Sequence, residues 1–196
     1  MNAVFIRPPK VAGASIGAAL GIREYTTMEH IKNSFVQSGV LCFGHIDYAM
    51  LVAQGYVSQE FDSSAFKFAF VRNPYDRAVS WFFFEQARGN VLESTSFLTF
   101  CQKRLANAEG WSKYNPQVRW LENVKLDFLG RYERLQVDVH RVAAMLQVTP
   151  RQLPIIHWTE HDHYAAYYCA ESAAIVYLTY KEDFHSFGYP INLPGV

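Results

Sequence analysis

Three cysteines are few for a chain of 196 residues. Cys42, Cys101 and Cys169 stand far apart, their number is odd, and no Cys-x-x-Cys pair occurs. That argues against a disulfide framework and suits a reducing compartment. Charge of one sign is also missing: 18 Lys and Arg balance 18 Asp and Glu, so the formal net charge is zero. A nucleic-acid binder would carry a basic field, which this chain lacks. The balance argues weakly against a long polyanionic substrate and leaves room for a local basic patch. No apolar run reaches membrane-spanning length; Phe66–Val71 is strand-sized. The apolar run before Arg7 is too short for a signal peptide. There is no internal repeat and no low-complexity tract. These absences predict a soluble, cytoplasmic protein with a single domain over residues 1–196 and leave its oligomeric state open.

What the chain does have is apolar mass and one unusual loop. Half of its residues are hydrophobic and 16% are aromatic, enough for a substantial core. Ala3-Val4-Phe5-Ile6 reads as a buried strand. It enters Arg7-Pro8-Pro9-Lys10, followed by the small-residue turn Val11-Ala12-Gly13-Ala14-Ser15 and then by Ile16, Ala19 and Leu20 at helical spacing. A strand–turn–helix of this kind aims backbone N–H groups and a helix N-terminus at an anion, and Lys10 adds a positive charge beside it. It is not a Walker A loop, in which lysine follows the second glycine and a neighbouring hydroxyl holds magnesium.

The remaining pattern alternates strands with helices. Val40-Leu41-Cys42-Phe43 reads as a strand ending at Gly44-His45, with Asp47 capping a short helix through Leu51 and Val52. Phe66–Val71 reads as a third strand. It stops at Arg72-Asn73-Pro74, where Asn73 suits an N-cap, Pro74 the first helical position and Asp76 the first turn. A second helix is expected over Thr95–Leu105 and a fourth strand over Lys125–Tyr132. Leu135, Val139, Val142 and Leu146 then follow helical spacing, and a last helical region runs from about Tyr164 to Tyr180. The alternation implies an α/β fold with a mostly parallel sheet. Ligands in such sheets bind where strand C-termini meet helix N-termini, the kind of junction at which Lys10, His45 and Arg72 fall.

Several residues carry two readings on pattern alone. Arg72 and Ser80 together could grip a phosphate with a guanidinium fork and a hydroxyl, or mark a capped helix with an ordinary arginine. His45 could move a proton near neutral pH, or be a structural histidine at a strand end. His157, His161 and His163 around Asp162 offer metal-binding chemistry, but their spacing matches no zinc motif, and no metal site is assigned. Trp111-Ser112-Lys113-Tyr114-Asn115-Pro116-Gln117 reads equally as an acceptor-contacting loop and as a plain connection.

Taken together these segments resemble the PAPS-dependent sulfotransferases, which transfer a sulfuryl group from 3′-phosphoadenosine 5′-phosphosulfate. Pro9–Ile16 looks like the family's 5′-phosphosulfate loop, commonly Pro-Lys-x-x-Gly-Thr-Ser. Arg72–Phe82 looks like its 3′-phosphate segment. Gly130-Arg131-Tyr132-Glu133, Tyr180-Lys181-Glu182-Asp183-Phe184 and Phe187-Gly188-Tyr189 continue the likeness in order, as in the branch that includes many carbohydrate sulfotransferases. The resemblance implies a P-loop-containing nucleotide-binding fold with a central sheet flanked by helices. It implies PAPS as donor, with Lys10, Val11, Ala12, Gly13, Ala14, Ser15, Ile16, Arg72, Ser80, Arg131 and His161 around it. It further implies Lys10 and His45 as catalytic residues, His45 standing where heparan sulfate 2-O-sulfotransferase-like enzymes have a base. No metal is expected. The partner implied is an acceptor with a free hydroxyl, a carbohydrate being one candidate; nucleic acid is not. Ala14 departs from the pattern, because the family usually has a hydroxyl there. The competing readings are a kinase-like enzyme, which would need magnesium ligands, and a non-catalytic nucleotide-binding protein.

Overall fold

A computed structural model describes residues 1–106, 110, 112–156 and 161–193. In chain order its elements are β1 (Ala3–Ile6), α1 (Gly13–Leu20), β2 (Arg23–Glu24), α2 (Met28–Ser34), β3 (Val40–Cys42), α3 (Tyr48–Ala53), α4 (Gln59–Ser64), β4 (Phe66–Val71), α5 (Pro74–Ala87), α6 (Phe97–Phe100), β5 (Phe128–Arg131), α7 (Leu135–Leu146), α8 (Ala170–Thr179) and α9 (Lys181–Phe187). A π-helical turn spans Cys101–Leu105, and short 3-10 turns span Gln117–Trp120, Tyr132–Arg134 and Tyr164–Tyr167. These elements form two compact units: Met1–Val71 with Trp120–Ile156, and Arg72–Arg119 with His157–Val196.

The first unit is built on a five-stranded sheet of order β2-β3-β1-β4-β5. Every pairing is parallel; β1 pairs with β3 through Val4↔Leu41 and with β4 through Val4↔Lys67. Successive β1 side chains point to opposite faces and all are apolar, which suits a strand at the centre of the sheet. Ala3 and Phe5 join Phe68, Phe70, Ile16 of α1 and Val139 and Val142 of α7 in one cluster. Val4 and Ile6 join Leu41, Ala69, Leu51 of α3, Phe61 of α4 and Trp120 in another, on the opposite face. All four β1 side chains are therefore buried, as a parallel strand covered on both faces demands.

The second unit is helical and aromatic. Tyr75 of α5 packs against Phe184 of α9, with ring centroids 4.8 Å apart, and Phe82 against Phe100 at 5.5 Å. The Tyr168 hydroxyl donates to the Tyr75 carbonyl at 2.8 Å. The start of α5 follows its sequence signal: the Asn73 side chain accepts the Tyr75 N–H at 2.9 Å, with Pro74 in the first turn. Such a cap contributes about 1 kcal/mol.

Three expected elements differ in extent. The predicted helix over Thr95–Leu105 starts after the Ser96 cap as α6 and relaxes into the π-helical turn from Cys101. The predicted strand over Lys125–Tyr132 is only Phe128–Arg131, because Asp127 pairs with Lys67 partly through its carboxylate, which accepts the Lys67 N–H at 2.8 Å. The helical region from Tyr164 is broken at Tyr168, whose backbone is extended, and restarts as α8.

Candidate active site

In the first unit, α1 leaves β1 toward one face of the sheet, while α3 and α4 follow β3 and pack on the other. β1 and β3 are neighbours, so their C-terminal ends mark the switch point at which ligands bind in open parallel sheets. The loop carrying Lys10 leaves β1 there, and the turn carrying His45 leaves β3.

The loop after β1 is held in a costly shape. Lys10 and Ala12 both adopt left-handed backbone, with φ of 69° and 61°. For residues with a Cβ this costs roughly 1–3 kcal/mol each, a strain that collects at functional sites. The turn delivers Gly13, Ala14 and Ser15 to the first turn of α1, which has no side-chain cap. By contrast α2, α3, α4, α5 and α6 are capped by Thr27, Asp47, Ser58, Asn73 and Ser96. The first-turn N–H groups of α1 are thus presented beside Lys10, an arrangement suited to an anion. Val11 and Ile16 have side chains fully buried in the core, and the Ile16 N–H is spent on the Ala12 carbonyl at 3.0 Å. The Ser15 hydroxyl, nearly buried, accepts the Ile156 N–H at 3.4 Å.

Gly44 sets the position of His45. Its φ is +60°, and a Cβ there would meet Thr26 at 3.3 Å. The turn closes with Ile46 N–H on the Phe43 carbonyl at 3.1 Å, leaving His45 exposed. The imidazole Nδ1 lies 2.9 Å from the Arg7 carbonyl oxygen. A carbonyl only accepts, so Nδ1 carries a proton, and in the neutral form of the ring the lone pair falls on Nε2. The His45 carbonyl in turn accepts from Trp120 Nε1 at 3.3 Å.

Arg7 is the residue that sequence reasoning missed. Its main chain orients His45, and its side chain lies across Gly13, where a Cβ would sit 2.4 Å from Nε. Its guanidinium is ion-paired with Glu24 of β2. The adjacent Cys42 thiol is pushed up to about 11, chiefly by burial, with Arg7 pulling the other way. The run Phe5-Ile6-Arg7 gave a basic residue directly after an apolar strand, and that was its only signal. At the far edge of the sheet, Arg131 ends β5 and its N–H donates to buried Asp138 at 2.9 Å.

The second unit contains Arg72, Ser80 and His161. Arg72, the first residue beyond β4, forks onto Asp76 with Nε and Nη2 each 2.8 Å from a carboxylate oxygen. Ser80 lies nearly buried on α5, two turns further along the chain. The His161 ring stacks on Phe83 at 4.9 Å, and its Nδ1 lies 2.7 Å from the Asp162 carbonyl. His163 caps the 3-10 turn at Tyr164, and His157 lies outside the described residues. Among the described residues no group of three or more His, Cys, Asp or Glu is placed to hold a metal ion, and no helix is long and apolar enough to cross a membrane. Trp111 is outside the described residues, while Lys113 of the same loop reaches Glu85 at 2.8 Å.

A five-stranded parallel sheet with a strained, lysine-bearing loop between its central strand and an uncapped helix defines a P-loop-like nucleotide-binding fold. The chain belongs to the sulfotransferase family, whose profile matches residues 3–190. Mouse sulfotransferase SULT7A1, solved in complex with PAP, superposes with a TM-score of 0.53 at 16% identity, covering 94% of this chain and 66% of that one. The present chain thus spans just under two thirds of the mouse protein's length. A sulfotransferase from Alicyclobacillus acidocaldarius gives a TM-score of 0.47 at 16% identity, covering 97% of each chain. No curated protein sequence matches the chain.

Proposed function

We propose that the chain is a PAPS-dependent sulfotransferase that moves a sulfuryl group to an acceptor hydroxyl, with His45 as general base and Lys10 as the charge that stabilises the departing phosphate. The carrying observation is the 2.9 Å contact between His45 Nδ1 and the Arg7 carbonyl, which directs basicity to Nε2. PAP bound to the mouse relative supports the donor assignment. The loop also fits a phosphosulfate: N–H groups, a lysine and a helix end converge without a carboxylate among Lys10–Ile16. Bound there, PAPS supplies the sulfuryl group. His45 Nε2 takes the acceptor hydroxyl proton as the acceptor oxygen bonds to sulfur and the sulfur–phosphate oxygen bond breaks. Lys10 and the first-turn N–H groups of α1 meet the negative charge left on the 5′-phosphate. Arg72 and Ser80 hold the 3′-phosphate, with the Arg72 guanidinium oriented by its two contacts to Asp76. A sugar hydroxyl is the acceptor class that the likeness to carbohydrate sulfotransferases favours.

Calorimetry with PAP, with and without magnesium, followed by a radiolabelled sulfate-transfer assay over hydroxyl acceptors, tests this reading. PAP should bind equally in both buffers. His45→Ala should keep PAP affinity and lower turnover by roughly a hundredfold or more, the range for a lost general base. Absence of PAP binding would end the proposal; full transfer activity in folded His45→Ala would remove the base and leave the donor site.

A further inference from the structure

We propose that Gln117 and Asp183 are positioning residues for the 3′-phosphate subsite, holding the main chain from which the Arg72 guanidinium projects. The inference deepens the donor reading above and rests on it. Arg72 stands just past a strand end, where its backbone N–H and C=O need partners. One side chain meets both. Gln117 Oε1 accepts the Arg72 N–H at 2.9 Å, and Gln117 Nε2 donates to the Arg72 carbonyl at 2.9 Å. This two-point contact also fixes which amide atom is oxygen, since an N–H only donates and a carbonyl only accepts.

Gln117 is itself locked. Its own N–H donates to Asp183 Oδ2 at 2.8 Å, and its Nε2 reaches the same oxygen at 3.2 Å. Val118 N–H donates to Asp183 Oδ1 at 2.9 Å. Both Gln117 and Asp183 are fully buried. Across the carboxylate, Arg77 Nη1 of α5 lies 4.0 Å from Asp183 Oδ2, while Arg77 Nη2 donates to the Asn115 carbonyl at 3.0 Å. So one buried carboxylate on α9 ties down both the residue that fixes Arg72 and the helix that follows it. The main chain of Arg72 is set by Gln117 and its guanidinium by Asp76, which leaves the cation little freedom. A fully buried carboxylate and amide are an expensive way to fill a core that apolar groups could fill. Their geometry is explained by the need to hold one cation in register with a phosphate.

The test compares binding of PAP with binding of adenosine 5′-monophosphate, which lacks the 3′-phosphate, by calorimetry on the whole chain. Wild type should prefer PAP. Gln117→Met removes both contacts to Arg72 and should weaken PAP roughly tenfold, as for loss of a charge-assisted contact. Its affinity for the monophosphate should stay within about twofold of wild type, a margin well under 1 kcal/mol. If both nucleotides weaken together, or if the wild-type preference survives undiminished in Gln117→Met, the positioning role is overturned and the donor site stands. If wild type binds both nucleotides equally, the donor reading at Arg72 fails, and the positioning role with it. Should Gln117→Met not fold, Asp183→Asn, which keeps the shape and loses the charge, reads the same ratio with the same outcomes.

Discussion

At the scale of single residues, environment decides chemistry more than residue type does. The three cysteines make the point. Cys42 and Cys101 are buried, and burial pushes their thiols up to about 11 and about 12. Cys169 is exposed at the start of α8, where hydrogen bonds from the Ser172 backbone and hydroxyl hold its thiol below the usual range. The thiolate is the reactive form, so reactivity should separate by site. Native protein treated with iodoacetamide near neutral pH should take up one label, mapped by peptide mass spectrometry to Cys169, and take up the other two only after unfolding. Early labelling of Cys42 would mean that the sheet opens at β3 more readily than its complete burial allows. Arg7 shows the same principle in a different form. Its type suggests a ligand for an anion, yet its carbonyl does the work of fixing His45 and its side chain is engaged with Glu24.

At the scale of elements, α1 joins the strained loop to the core through two glycines four residues apart, and they are not equivalent. A Cβ at Gly13 would lie 2.4 to 2.7 Å from Arg7 Nε, Cδ and Cγ, a stretch of side chain anchored by its pair with Glu24. A Cβ at Gly17 would meet only Glu24 Oε1, at 3.2 Å, a single contact relieved by a shift of a few tenths of an ångström. Gly13→Ala should therefore cost about 1–3 kcal/mol through overpacking and lower transfer activity by displacing Arg7. Gly17→Ala should be neutral or gain up to about 1 kcal/mol from helix propensity. Denaturant unfolding of the two variants checks the order; equal costs would refute the Arg7 contact. Elements with strong local signals were legible in the sequence: β1 and β4 as apolar runs, α5 from Asn73-Pro74, α7 from its spacing. Invisible ones were those fixed by distant partners. β2 is only Arg23–Glu24, two polar residues that become a strand by pairing with Leu41 and Cys42. The candidate site follows the same division. Lys10 and His45 announce themselves at strand ends. Gln117 opens the short 3-10 turn Gln117–Trp120 with no sequence signal of its own, and its contacts to Arg72 and Asp183 span 45 and 66 residues of sequence.

At the scale of the whole molecule, buried weak acids set a limit on the alkaline side. Tyr48 in the first unit and Tyr75, Tyr114, Tyr168 and Tyr180 in the second are all pushed up, in each case chiefly by burial, alongside Cys42 and Cys101. Such groups stay protonated in the native state while the unfolded chain ionises at its ordinary values, about 8.5 for cysteine and 10 for tyrosine. Their stabilisation is complete below those values and is lost as pH rises through the folded ones. Asp183 is also raised by burial, so taking up a proton in acid favours the fold and does not undo it. The two units share this dependence, with most of the raised groups in the second. Stability should therefore hold to about pH 9 and fall steeply above pH 10, where the unfolded phenols begin to ionise. Tyrosinate absorbance followed against pH, together with circular dichroism, checks this. The five tyrosines named should ionise only as the dichroism signal collapses, and returning the sample to neutral pH before aggregation should restore both. Gradual ionisation of all the tyrosines with the fold intact would show that these hydroxyls are reached by water in the native state.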